Sequence, residues 1–133
     1  MNSGLQKYVF SSRTQLDTAV DVWISNESTA RDIYGDINTW DVSGITDFST
    51  LFQNKSGFNS DISNWDVSNG NNFYAMFDWA ESFNQDISNW DVSNGLTFNA
   101  MFYSAFSFNQ DISNWDVSSS RNFQGMFAGS RNF

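Results

Sequence analysis

An eight-residue phrase, Asp-Ile-Ser-Asn-Trp-Asp-Val-Ser, occurs three times in this sequence at intervals of 25 residues. The copies begin at Asp61, Asp86 and Asp111, and an earlier, less regular copy begins at Asp36. A unit of this size cannot bury its apolar face alone, so copies in one register stack on each other. The repeat therefore predicts a solenoid, in which each turn contacts only its neighbours.

Within one repeat, two apolar spacings follow one another. Trp65 and Val67 lie two residues apart, as on one face of a strand, whereas Phe73 and Phe77 lie four apart, as on a helix. We therefore predict an α/β repeat, a leucine-rich-repeat-like right-handed solenoid of four turns over residues 36–133, with one short parallel strand and one short helix per turn. The inward positions form six columns, represented in the second turn by Ile62, Trp65, Val67, Phe73, Phe77 and Phe83.

Residues 1–35 precede the repeats, and we predict that they form an N-terminal segment and helical cap within a single domain. Thr14 and Asp17 have the spacing of a capping box, which indicates a helix over about residues 15–25. Such a cap covers the apolar face that the first turn would otherwise expose. Its apolar stripe comprises Leu16, Val20, Trp23 and Ile24.

A second short helix is predicted after the first. Asn26 is a suitable N-cap, and the helix is expected to stop near Gly35. Before both helices, Tyr8 and Phe10 form a short apolar alternation that could add a strand at the edge of the solenoid.

Composition and charge exclude several classes of function. The formal net charge is −9, and no Lys or Arg occurs between Lys55 and Arg121, where eight acidic residues lie. Such a surface repels nucleic acid. His and Cys are absent, which removes the commonest general base and nucleophile, so we predict that the chain is not an enzyme.

The sequence also bears on membranes and export. It contains no run of about 20 apolar residues, so no membrane insertion is expected. Residues 1–5 lack the charged and apolar regions of a secretory signal, and no anchor is evident.

Two acidic columns would lie on the strand side of the solenoid. The first comprises Asp41, Asp66, Asp91 and Asp116. Adjacent carboxylates repel, so each aspartate either bonds to backbone N–H groups nearby as an Asx turn, or shares a Ca²⁺ ion, or forms a bare anionic surface. Calcium is the one cofactor that the sequence leaves open. The second column comprises Asp36, Asp61, Asp86 and Asp111.

Some aromatic residues break the repeat, and packing therefore needs them less. We predict that they form an exposed contact patch. These residues are Tyr74, Trp79, Tyr103 and Phe106. The last turn ends at Phe133 on a core position, so its edge, which includes Phe127 and Phe133, is expected either to dock onto another subunit or to fray and fold over.

The phrase Phe-Asn-Gln-Asp-Ile-Ser-Asn-Trp-Asp-Val-Ser, followed by Phe-x-x-Met-Phe, resembles the BspA-like leucine-rich-repeat surface proteins, in the 25-residue form of mycoplasma lipoproteins. The resemblance covers about residues 14–133. It implies a non-enzymatic repeat domain exposed outside a cell or on a virus particle, with relatives associated with adhesion and partner contact. It implies no defined ligand.

We therefore expect a structural or interaction protein that acts in adhesion or subunit assembly. Its partner would be a protein or its own subunits, as a homo-oligomer or attached to a larger assembly. The alternative function is a calcium- or glycan-binding module that uses the acidic strand face.

Overall fold

The computed structural model describes residues 7–132. Near its amino terminus lie two α-helices, α1 (Arg13–Ser25) and α2 (Glu27–Tyr34), followed by a short 3₁₀ helix (Ile37–Thr39). From residue 40 to residue 132 the chain forms successive turns, joined from one repeat to the next by hydrogen bonds. We call the two α-helices the helical cap and residues 40–132 the stack.

Helix α1 begins where a serine caps it. The Ser12 side chain accepts a hydrogen bond from the Gln15 backbone N–H at 3.2 Å, so the cap lies two residues before the predicted Thr14. The predicted capping box is wrong, because Asp17 instead accepts a hydrogen bond from the Arg13 side chain at 2.9 Å. The helix itself is confirmed, and its buried stripe comprises Leu16, Ala19, Val20 and Trp23.

Helix α2 is confirmed with its predicted cap. The Asn26 side chain accepts a hydrogen bond from the Thr29 backbone N–H at 3.2 Å. The helix ends at Tyr34, and the next residue, Gly35, has a φ of 76°, in the left-handed range that glycine tolerates. Ile24 and Ile33 stay largely exposed, so the apolar stripe of the cap is narrower than the sequence predicts.

The segment before α1 lies along the first turn of the stack. The Phe10 N–H donates to the Asp41 carbonyl at 3.0 Å, and the Asp41 N–H donates to the Tyr8 carbonyl at 2.9 Å. This single parallel bridge replaces the predicted edge strand. Phe10 is buried against Trp40, with ring centres 5.1 Å apart, so the segment covers the end of the aromatic core.

Residues 7–132 contain no β-strand, so the predicted strand of each turn is wrong. In the second turn, the Asp61 side chain accepts a hydrogen bond from the Ser63 N–H, and the Trp65 N–H donates to the Ile62 carbonyl. These bonds close turns where the strand was expected. The parallel pairing between repeats is limited to single bridges, which join Asp47, Asn72, Thr97 and Asn122 in series.

The predicted helix of each turn is also wrong. In the second turn Ala75 and Trp79 have φ values of 52° and 59°, in the left-handed region that an α-helix of L-residues does not contain. The local hydrogen bond from the Met76 N–H to the Phe73 carbonyl spans three residues. A positive φ at the third of four residues is the mark of a type II turn.

Alternate amides of the same segment donate to carbonyls of the following repeat, 24 residues later in sequence. These bonds run from Phe73 to Thr97, from Ala75 to Asn99, from Phe77 to Met101 and from Trp79 to Tyr103, at 2.8–3.1 Å. The backbone is satisfied between repeats, so neither a helix nor a continuous strand forms. The predicted leucine-rich-repeat-like α/β solenoid is therefore contradicted, and the chain is instead a stack of hydrogen-bonded turns.

Aromatic columns fill the core of the stack. Rings from successive repeats lie nearly parallel, with centres 5.4–6.0 Å apart and planes within 8°. The predicted columns are buried through the third turn, whereas Ile112, Val117 and Phe127 are half-buried and Phe123 is exposed. The columns are Phe48, Phe73, Phe98 and Phe123; Phe52, Phe77, Phe102 and Phe127; and Phe58, Phe83 and Phe108.

Candidate interaction surface

Two of the four aromatic residues predicted to form a patch pack on each other, and a third is joined to them through a backbone hydrogen bond. The Trp79 and Phe106 rings pack edge to face, with centres 5.5 Å apart, and the Trp79 N–H donates to the Tyr103 carbonyl. Tyr103 and Trp79 are each about 40% exposed, at 40% and 41%. The guanidinium of Arg131 lies over the Phe106 ring, 4.7 Å from its centre. We call Trp79, Tyr103 and Phe106 the aromatic patch.

Tyr74 is exposed, as predicted, but lies apart from the patch. Its carbonyl accepts a hydrogen bond from the Thr50 N–H, and its own N–H donates to the Asn72 side chain. Within residues 7–132, neither a ring contact nor a backbone hydrogen bond joins Tyr74 to the patch.

Trp79 occupies a backbone position that disfavours a bulky side chain. Its φ of 59° is left-handed, as are those of its counterparts in the other turns, Asn54, Ser104 and Gly129. Asparagine and glycine are the residues that tolerate this conformation, whereas a bulky residue there is an outlier. The hydrogen bond from the Trp79 N–H to Tyr103 holds the strained residue in place.

A carboxylate lies beside Trp79 in the same turn. One oxygen of Asp78 accepts a hydrogen bond from the Gln53 side chain at 2.8 Å, and the other is buried without a hydrogen-bond partner. Sequence reasoning missed this residue. The available signal was that position 78 also breaks the repeat, since Gln53 and Tyr103 are its counterparts.

Ion pairs in the described residues are confined to the first 55. Lys55 binds Asp21 at 3.0 Å, and the other pairs connect Arg13 and Arg31 to nearby acids. None of the acidic side chains in residues 56–132 takes part in a described ion pair. The stack therefore carries uncompensated negative charge.

The first acidic column forms Asx turns, which confirms the local hydrogen-bonding interpretation. In each turn the carboxylate accepts hydrogen bonds from the N–H and the hydroxyl of the serine two residues on, at 3.0 Å and 2.6 Å. The Ser93 hydroxyl, and then its N–H, lower the pKa of Asp91 below its ordinary value. The four aspartates are Asp41, Asp66, Asp91 and Asp116.

This arrangement of aspartates provides no cluster of ligands for the hypothesised Ca²⁺ ion. In the described part of the chain, no group of three or more His, Cys, Asp or Glu side chains is placed to hold a metal ion. The second acidic column behaves like the first, because Asp61, Asp86 and Asp111 each accept the N–H of the serine two residues on. One oxygen of each of these carboxylates is therefore directed to its own turn.

Asparagine side chains link the repeats at another edge. The Asn59 side-chain oxygen accepts hydrogen bonds from the Asn84 N–H and the Gln85 side chain, and Asn84 does the same for Asn109 and Gln110. These asparagines therefore join neighbouring repeats.

The cleft between the cap and the first turns, lined by Trp23 and Ser60 among others, has a volume of about 200 Å³, below the size of ordinary small-molecule sites.

One of the two residues predicted at the edge of the last turn packs on the turn before it. Phe127 is half-buried and stacks on Phe102, with ring centres 5.5 Å apart. Phe133 lies outside the described residues.

The fold and the surface together define a repeat protein built from stacked turns, with an exposed aromatic patch on one side. Residues 24–133 match the family described as "Mycoplasma protein of unknown function, DUF285". The chain belongs to this family. The searches of curated proteins and of solved structures gave no significant match. In the described residues, no helix has the length and apolar character needed to cross a membrane.

Proposed function

We propose that this chain is a non-enzymatic repeat protein of the BspA-like surface type, which presents its aromatic patch to a partner protein outside a cell or on a virus particle. Its role would be adhesion or subunit assembly. The observation that carries the proposal is the strained, exposed Trp79. A residue held in an unfavourable conformation is a reason to look for function at that position.

The energetic argument compares Trp79 with its counterparts in the stack. A left-handed non-glycine residue costs about 1–2 kcal/mol, and Asn54 shows that a better-suited residue fits the same turn. Packing does not require the indole, because Trp79 is 41% exposed while the other five tryptophans are buried. A partner that covers Trp79 and Tyr103 would bury the exposed indole, so the strained residue would have a role in binding.

The proposed absence of enzymatic activity rests on chemistry. The chain has no His or Cys, and the eight aspartates of its two acidic columns are periodic. In the stack those aspartates are engaged in Asx turns, which serves the architecture of each repeat.

The experiment is a binding screen of the purified chain against arrayed extracellular proteins and glycans. Trp79→Asn is the test variant, because asparagine suits the left-handed position. Leu96→Ala is the matched control, because Leu96 is an exposed apolar residue of the next turn. We expect binding that Trp79→Asn abolishes and Leu96→Ala leaves intact. Partners that bind both variants equally would contradict the proposal.

A further inference from the structure

Resting on the proposed function, we propose that the aromatic patch receives a cationic side chain, arginine or lysine, from the surface of the partner protein. The patch combines exposed aromatic rings with carboxylates that no described cation neutralises. Each of these features favours a positive charge, and the structure places them in adjacent turns.

The first argument concerns the carboxylates beside Trp79. Asp78 is half-buried, and its only described side-chain contact is with the neutral amide of Gln53. Glu81 follows two residues after Trp79 and is exposed. Neither forms an ion pair in the described residues. A partly buried charge is screened less by salt than an exposed one, so the Asp78 carboxylate can attract a cation that approaches Trp79.

The second argument concerns the rings. The face of an aromatic ring carries partial negative charge and attracts cations, most strongly when the ring is tryptophan. One ring of the patch already has such a contact, since the Arg131 guanidinium lies 4.7 Å from the centre of the Phe106 ring. The exposed parts of Trp79 and Tyr103 offer the same chemistry to a group from outside the chain.

The third argument concerns the surrounding surface. Eight acidic residues and no cation occur between Lys55 and Arg121. A predominantly negative surface accelerates the approach of oppositely charged partners and repels acidic ones. Charge complementarity therefore favours a basic partner protein over an acidic one.

The test uses Trp79 as its own reporter. The other five tryptophans are each at most 8% exposed, so changes at an accessible indole arise from Trp79. The probe is a peptide of alternating arginine and glycine, and its matched control replaces arginine by citrulline, which is neutral and of nearly the same shape. A glutamate peptide and a neutral oligosaccharide complete the set. The readouts are the Trp79 indole N–H chemical shift and fluorescence quenching.

We expect the arginine peptide to bind about five- to tenfold more tightly than the citrulline peptide, as cation–π contacts and nearby charge together imply, and to weaken with added salt. Trp79→Asn lacks the reporter, so its binding is measured by calorimetry, and we expect it to be abolished. Glu81→Gln should weaken binding several-fold. Asp78→Asn should also weaken binding several-fold, and its melting temperature is measured to show that the fold is intact. Asp32→Asn, an exposed acid of α2, is the control for charge alone.

Equal binding of the arginine and citrulline peptides would overturn the inference, and so would equal weakening by Asp32→Asn and Glu81→Gln. If the oligosaccharide or the glutamate peptide shifts the Trp79 signal and the arginine peptide does not, the patch remains an interface but its partner is not cationic. If no probe and no arrayed partner engages Trp79, the inference and the proposed function both fail.

Discussion

In helix α1 the Leu16 amide donates to the carbonyl of Ser12, four residues earlier, whereas in the stack the Ala75 amide donates to the carbonyl of Asn99, 24 residues later. The helical cap thus satisfies much of its backbone within itself. Each turn of the stack depends on the next one for the same purpose. The stability of such a repeat protein is the sum of the low intrinsic stabilities of its repeats and the large stabilising contributions of the interfaces between neighbours.

The backbone conformations show the same contrast. The helical cap has no left-handed residue before Gly35, whereas each of the first three turns contains two non-glycine residues with positive φ. Isolated turns of this kind would be unfavourable, at about 1–2 kcal/mol for each such residue. Stacked rings and hydrogen bonds between repeats offset that cost, so a defect in one turn should weaken its neighbours more than it weakens the cap.

The largest expected effect is from Phe77→Ala. Phe77 is fully buried between Phe52 and Phe102, with ring centres 5.4 and 5.5 Å away, so its removal should lower the free energy of unfolding by about 3–5 kcal/mol. Urea unfolding followed by fluorescence measures this change. Phe123→Ala is the control, because Phe123 is 41% exposed. Equal losses from the two variants would contradict a core held by stacking on both faces.

Gly95→Ala should have the next largest effect. A methyl group at Gly95 would lie 2.5 Å from the end of the Phe98 ring, which is itself stacked against Phe73 and Phe123. The ring cannot move without disturbing its column, so we expect a loss of about 1–3 kcal/mol. Gly57→Ala is the matched control, since no atom lies within 4 Å of its added methyl group. A thermal melt should separate the two variants clearly, and coincident melts would refute the packing described for Gly95.

Acid should weaken the stack through its Asx turns. The hydroxyl and N–H of Ser93 lower the pKa of Asp91 in the folded state, and Ser118 lowers that of Asp116 in the same way. A lowered folded-state pKa gives stability that is present above the unfolded value, about 3.9, and is lost as the pH falls through the folded value. Urea midpoints measured from pH 6 to pH 2 should therefore decline below about pH 4.

Ser93→Ala tests the cause of this acid sensitivity. It removes the hydroxyl that most lowers the pKa of Asp91, so the variant should be less stable at neutral pH and should lose less stability in acid. A variant whose decline in acid matches that of the original chain would show that the hydroxyl does not set this pKa.

The smallest change in stability is expected from Trp79→Asn. Asparagine relieves the left-handed strain but gives up the contact with Phe106, so the free energy of unfolding should stay equal or rise by up to about 1 kcal/mol. Asn54→Trp is the reverse change at the matching position and should be destabilising. A substantial loss of stability in Trp79→Asn would mean that the indole serves the fold, which removes the main support for a binding role.

The two regions also differ in how far their sequence predicts their structure. Cap residues such as Asn26 act locally, so both helices and their approximate bounds follow from spacing and capping. In the stack the register and the buried columns could be predicted, because identical residues recur every 25 positions. The candidate patch could be identified from the residues that break this repetition.

The secondary structure of each turn could not be read from the same pattern. Phe73 and Phe77 are four residues apart, which fits a helix, but two consecutive turns give the same spacing. What decides between them is whether the Ala75 amide bonds within its own repeat or to Asn99, and apolar periodicity does not encode that choice. The pairing of Asp78 with Gln53 was missed for a similar reason, because it joins two non-identical residues of neighbouring turns.

The most direct test of the stack is NMR measurement of couplings across hydrogen bonds. With the chain labelled with nitrogen-15 and carbon-13, each amide can be correlated with the carbonyl that accepts its hydrogen bond. The structure predicts correlations from Ala75 to Asn99 and from Phe77 to Met101. Correlations from Ala75 to Asn71 and from Phe77 to Phe73 would instead indicate a helix in each repeat, and would contradict the stack of turns that presents Trp79.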